Sequence, residues 1–201
     1  MASLVVSGDT SGAITLSAPS VAGTNTLSLP AQTATLATLT TPSFATTIGV
    51  GGATAAASGA GITFPASQSA SSDANTLDDY EEGTFTPTII GSSTAGTATY
   101  STQVGAYRKI GSLVYITIQL EYTSGNGSGN LLISGLPFNN AYSAQIAIRA
   151  DGITLSANSY PTAVVGSNVV NIQQAATGTP TIASVSYDGT GFLQVGGCYI
   201  T

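Results

Sequence analysis

The chain has 201 residues, a formal net charge of −6, three basic residues, one cysteine, and neither His nor Trp. Those absences exclude Ser-His-Asp and Cys-His catalysis and the zinc ligand sets. The shortage of Lys and Arg also excludes a nucleic-acid surface, which needs clustered cations to displace phosphate counterions. With 6% charged residues and many Val, Ile and Thr, the chain is also unlike a disordered polymer, so it reads as an ordered structural or binding protein rather than an enzyme.

Residues 1–42 carry strand-like pieces at Leu4–Val6, Ala13–Ala18, Thr24–Leu29 and Thr33–Leu39, in which apolar and small polar residues alternate with the period of a half-buried strand. Gly, Asp and Pro fill the gaps between them, so hairpins or a meander are expected. Residues 43–72 are richer still in Gly and Ala, as in Ile48-Gly49-Val50-Gly51-Gly52, which permits close approach of backbones and suits a shaft or linker. Over residues 1–72 Asp9 is the single charged side chain. Side chains that small do not offset about 1–2 kcal/mol of backbone entropy per residue, so this stretch is expected to be ordered only against other chains.

Five of the nine acidic residues then fall between Asp73 and Glu82, and the 43–83 linker is expected to end there in an acidic turn. Asp78, Asp79, Glu81 and Glu82 read first as a solvated turn. The alternatives are a hard cation on carboxylate oxygens or, least favoured, hydrolysis, for which a cleft would have to borrow Glu121, Asp151 or Asp188 from elsewhere.

From residue 84 the large apolar and aromatic side chains become frequent, and only residues 84–201 can bury a core of their own. Strands are expected at Thr84–Ile90, Ala98–Ser101, Ala106–Ile110, Leu113–Tyr122, Asn130–Ser134, Ala144–Ala150, Tyr160–Val165, Val169–Ile172, Ile182–Tyr187 and Phe192–Tyr199. The Ser124–Gly129 loop is expected to close a hairpin, and Asn126-Gly127-Ser128 within it is a turn rather than a glycosylation site. Many short strands with no helical period predict an all-β chain: an extended N-terminal β arm, then a jelly-roll-like β-sandwich. Tyr100, Tyr107, Tyr115, Tyr122, Phe138, Tyr142, Tyr160 and Tyr187 are expected mainly in core or sheet-face packing, with a few at loop tips able to stack on a sugar. Cys198, in the last strand, reads as a small buried hydrophobe. Gly51-Gly52 and Gly59-Ala60-Gly61 lack the Lys and the following helix of a phosphate loop. No apolar run reaches membrane-spanning length, and no secretory leader is expected, so folding in a reducing cytosol is the expectation.

Three sequence words, Leu77-Asp78-Asp79-Tyr80-Glu81-Glu82-Gly83-Thr84-Phe85-Thr86-Pro87, Tyr107-Arg108-Lys109-Ile110-Gly111 and Ile133-Ser134-Gly135-Leu136-Pro137-Phe138, resemble in order and spacing a module near the C-termini of tailed-bacteriophage fibre proteins, including those of cyanobacterial phages. The N-terminal words around Gly8–Leu16, Ala22–Leu27 and Leu29-Pro30-Ala31 resemble a segment common in such virion proteins. Phe85 departs mildly, since the family often has Trp there. The resemblance implies a homotrimeric, non-enzymatic virion component assembled in the host bacterial cytoplasm, with no cofactor and no metal. Its arm would dock on tail, baseplate or major capsid protein, and its sandwich would face a host surface glycan. A short fibre is the favoured reading; the alternative is a head fibre or capsid decoration or cement protein, and a depolymerising tailspike enzyme comes third because its usual β-helix is not encoded here. No receptor-contacting residue is assigned.

Overall fold

The computed structural model describes residues 3–7, 13–17, 47–56, 59–178 and 181–201. It divides into two units, Met1–Phe44 and Ala45–Thr201. In the first, β1 (Ser3–Ser7) and β2 (Ala13–Ser17) form an antiparallel hairpin in which Val5 faces Thr15, at two of the places where alternation predicts strands. The expected strands at Thr24–Leu29 and Thr33–Leu39 lie outside the described residues. In the second unit, β3 (Thr47–Gly49) and β4 (Gly61–Thr63) pair in parallel. No helix occurs among the described residues.

The remaining ten strands make one antiparallel sheet. They are β5 (Tyr80–Phe85), β6 (Thr88–Gly91), β7 (Thr99–Ile110), β8 (Leu113–Thr123), β9 (Leu131–Ser134), β10 (Ala144–Asp151), β11 (Ser159–Gly166), β12 (Val169–Ala176), β13 (Ile182–Ser184) and β14 (Gly191–Ile200). Their spatial order is β5-β7-β8-β14-β10-β11-β12-β9-β6, with β13 added on β12. The two halves are continuous through β10, whose Ala144–Ile146 pair with β11 while Ala147–Asp151 pair with β14. The sheet therefore curls on itself, and its two halves enclose one core in the manner of a sandwich.

Strict alternation builds that core. In β8, Val114, Ile116, Ile118, Leu120 and Tyr122 are buried while every residue between them is exposed. Leu131, Ile133, Val165, Val170, Ile172, Leu193, Val195 and Tyr199 join them from strands of both halves. The sheet does not close into a barrel by backbone pairing, because β5 and β6 stand at its two ends. Side chains bridge that seam: the Ile89 amide donates to the Tyr100 hydroxyl at 2.9 Å, and Gln103 Nε2 donates to the Pro87 carbonyl at 2.9 Å.

Several boundaries differ from the sequence reading. Thr84–Ile90 is two strands, since Pro87 has no N–H to donate and the chain turns there from one half of the sheet to the other. Ala98–Ser101 and Ala106–Ile110 are parts of the single strand β7, which accommodates an irregularity in register between Tyr100 and Thr102. Sheet pairing begins at Tyr80, not at residue 84. The Ser124–Gly129 loop closes no hairpin, because β8 pairs with β7 and β14 whereas β9 pairs with β12 and β6. It is a crossing between the halves, fastened by the Gly125 amide to Gly189 O at 2.9 Å and by the Thr97 amide to Asn126 Oδ1 at 2.7 Å. Gly125 and Gly127 are needed there because a Cβ on either would fall 2.5–2.6 Å from the Tyr187 side chain.

Candidate functional site

The acidic segment is the most conspicuous feature of the sequence, and its four carboxylates go to separate tasks. Asp78 accepts from the Ser71 amide at 2.7 Å and from Gln68 Nε2 at 3.1 Å, and these bonds, the Ser71 amide foremost, hold its carboxyl below the usual range. Glu82 pairs with Arg108 at 3.3 Å with both side chains more than half exposed, a geometry that contributes about 0–1 kcal/mol. Glu81 faces Lys109 across the β5–β7 ladder. Asp79 departs from the solvated-turn expectation: it is 5% exposed and forms an ion pair with Lys109, itself 6% exposed. Burial is tolerated because each charge has its partner and because Lys109 Nζ lies 5.6 Å from the centre of the Phe138 ring. Tyr107 packs edge-on against the same ring at 5.2 Å. Gly83 is required beneath it, since a Cβ there would fall 2.9 Å from the Tyr107 hydroxyl.

The three words that resemble the fibre module thus converge on one node, Asp79–Lys109–Phe138–Tyr107–Gly83. It is scaffold. No group of three or more His, Cys, Asp or Glu able to hold a metal ion occurs among the described residues.

The concave surface lies on the opposite face of the same sheet half. Register places outward-facing residues in rows across β7, β8, β14 and β10. Ala106, Thr117, Gly196 and Ala147 form one row of small side chains. The next row holds Val104, Gln119, Gln194 and Arg149, and the one beyond it Thr102, Glu121, Phe192 and Asp151. An open hollow of about 510 Å³ lies over the first two of these rows. A second, of about 250 Å³, adjoins Phe192 and is lined by Glu121, Asp151, Gly152 and Gly191. The Arg149 guanidinium lies 5.2 Å from the centre of the Phe192 ring, and its Nη1 is 3.5 Å from Gln194 Oε1. Lys109 and Arg108 are engaged in ion pairs; Arg149 has no carboxylate within ion-pair distance among the described residues.

The structure brings Glu121 and Asp151 to one hollow. Asp188 stays apart, accepting from the Thr154 amide at 3.1 Å and from Thr154 Oγ1 at 2.8 Å. Both carboxylates of the hollow are exposed, so they offer hydrogen-bond acceptors to a ligand. Among the aromatics, Tyr122 is buried and Tyr100, Tyr107, Phe138 and Tyr187 pack on the core, whereas Tyr115, Tyr142 and Tyr160 are exposed. Cys198 lies in the last strand but faces outward, because Tyr199 beside it faces the core and alternation turns Cys198 away. Gln119, Gln194, Arg149, Gly196 and Phe192 were not singled out by sequence reading. The signal that finds them is register: once β8 and β14 pair, their outward positions become neighbours.

No protein-family model matches the chain, and no curated protein matches it. Among solved structures it is similar to the Dettilon tailspike protein, with a TM-score of 0.48 and 21% identity over 60% of this chain. That stretch corresponds to 24% of the tailspike's length.

Proposed function

We propose that this chain is a non-enzymatic structural protein of a tailed-phage virion: a short homotrimeric fibre that docks by its N-terminal arm on other virion proteins and presents its β-sandwich to a host surface glycan. The observation that carries the reading is the convergence of the three fibre-like words on one buried node. Segments about 30 residues apart in sequence that build one node share it as a unit, so the likeness concerns an architecture rather than isolated strings.

The trimer reading is supported by a row of uncovered apolar side chains at the end of the sheet where the chain enters it. Tyr80, Ile110, Leu113 and Ile200 are neighbours in register and 38–50% exposed. Large uncovered apolar surface of this kind favours partner contacts. A second copy is the occupant, because the weakly charged residues 1–72 that precede this point also require neighbouring chains. Light scattering on the full chain is expected to give three times the mass of 19.8 kDa, and a stable folded monomer would defeat the trimer. Labelling the protein on intact particles is expected to mark the tail. Marking of the capsid lattice in hundreds of copies would replace the fibre with a decoration protein.

A further inference from the structure

One outward-facing glycine of the sheet is not equivalent to the inward-facing ones. Gly83, Gly105, Gly191 and Gly197 each have a neighbour within 3.0 Å of where a Cβ would stand, so packing dictates glycine. Gly196 is different. A Cβ there would meet only the Ile116 carbonyl at 3.7 Å and the Tyr115 hydroxyl at 3.9 Å, both ordinary contacts, and its φ is not among the positive ones. Glycine weakens a strand interior and marks a bulge, a tight bend, or close approach of a ligand or another backbone. Register runs unbroken through Gly196 to both neighbouring strands, so no bulge calls for it, and it leaves the surface above it open. Gly196 lies in the floor of the larger hollow, between Thr117 on β8 and Ala147 on β10.

Beside that floor stand Gln119, Gln194 and Arg149 on three adjacent strands, about 5 Å apart at the usual strand spacing. That interval is comparable to one pyranose unit along a glycan chain. Two amides and a guanidinium offer donors and acceptors in a line, and the Arg149 guanidinium is steadied on Phe192. The Tyr115 ring borders the floor on its other side and can carry the apolar face of a sugar ring. Charge then selects the ligand. Glu82, Glu121 and Asp151 face outward with Arg108 and Arg149, and Arg108 is held by Glu82, so Arg149 is this face's one cation without a carboxylate partner among the described residues. On a chain of net charge −6 an acidic polysaccharide is repelled, whereas sugar hydroxyls donate readily to carboxylates.

We propose that this face, from Gly196 across Gln194 to Phe192, is a binding site for a neutral, hydroxyl-rich glycan chain running across β8, β14 and β10. The proposal rests on the fibre reading only for where the glycan comes from.

The test is an array of neutral and acidic oligosaccharides probed with the full-length protein, followed by titration of the bound glycans. Binding is expected to neutral members. It is expected to fall about tenfold or more, a change of ~1.4 kcal/mol, in Gly196→Val, which fills the floor, and in the double variant Gln119→Ala/Gln194→Ala, which removes two exposed amides. Circular dichroism and thermal melts of both variants are expected to match the parent. Selection of acidic glycans alone, unaltered affinity in both folded variants, or no glycan bound by the parent would each overturn the site. Capsid-lattice labelling together with array binding that is lost in Gly196→Val would sink the fibre reading and leave this site standing. Tail labelling with array binding indifferent to both variants would do the reverse.

Discussion

The two faces of the β5-β7-β8-β14-β10 half of the sheet divide the work of the molecule. Its inner face carries the residues that are conspicuous in the sequence, including the Asp79–Lys109 pair with Phe138. Its outer face carries inconspicuous ones, Gln119, Gln194 and Gly196, and it is the face with the hollow. Burial makes charge consequential for folding, so a charged motif can be scaffold, while exposure leaves plain Gln, Val and Gly residues from separate strands free for the glycan proposed above.

The largest effect that sharpens this contrast is expected at Lys109. Lys109→Met leaves Asp79 buried without a partner and is expected to cost about 3–5 kcal/mol, read as a lower urea midpoint; adding Asp79→Leu is expected to recover most of it. A loss below about 1 kcal/mol, the range of exposed pairs, would show that the pair is not buried in solution.

Next in size is a response to alkali. Desolvation raises the phenol pKa values of Tyr122, Tyr199, Tyr100 and Tyr107 above their ordinary value of 10.0. A group whose folded pKa lies above its unfolded one contributes stability that is complete below the unfolded value and disappears as pH rises through the folded one. The urea midpoint is therefore expected to show no tyrosine-linked change between roughly pH 7 and 9 and to fall above about pH 10. The Tyr122 hydroxyl is buried without a hydrogen-bond partner among the described residues, so Tyr122→Phe is expected to leave stability near pH 7 unchanged or raise it by up to ~1 kcal/mol, and to soften the alkaline fall. A loss on making that change would reveal a partner for the hydroxyl, such as a bound water.

Smaller still is Arg108→Ala, on the exposed pair with Glu82, expected to cost about 0–1 kcal/mol and to cost less as salt is added. Smallest is Gly196→Val on the outer face, expected to change stability by no more than about 0.5 kcal/mol. A destabilisation of 2 kcal/mol or more, of the order seen for buried packing changes, would show that glycine there serves the fold, and would erase the distinction between the faces.

Alternation made much of the fold legible. The sequence of Leu113–Thr123 alone names every core residue of β8, and the last strand reads similarly from Leu193 to Tyr199. Less legible were features that depend on distant partners. Asp79 looks solvated among its acidic neighbours, and only pairing of β5 with β7 delivers Lys109 to it from 30 residues away. The Ser124–Gly129 loop has hairpin composition, yet its glycines make room for Tyr187. Cys198 could have been turned outward by counting from Tyr199. The hollow was hidden for another reason: its members come from four strands, and none is chemically unusual until register sets them side by side.

The place of β14 bears on the order in which the chain can fold. It follows the other described strands in sequence, yet it lies in the middle of the sheet, with ten residue pairs to β8 on one side and five to β10 on the other. While a ribosome is still making residues 191–200, β8 and β10 each have an unpaired edge, and the two halves have no backbone link through the sheet. Closure of the sheet therefore waits until residues 191–200 have been made, as expected for pairings distant in sequence. A chain that stops short of β14 would keep two open edges, which invite pairing with other chains, and it would lack Gln194 and Gly196 besides. One strand thus makes structural integrity and the outward surface arrive together.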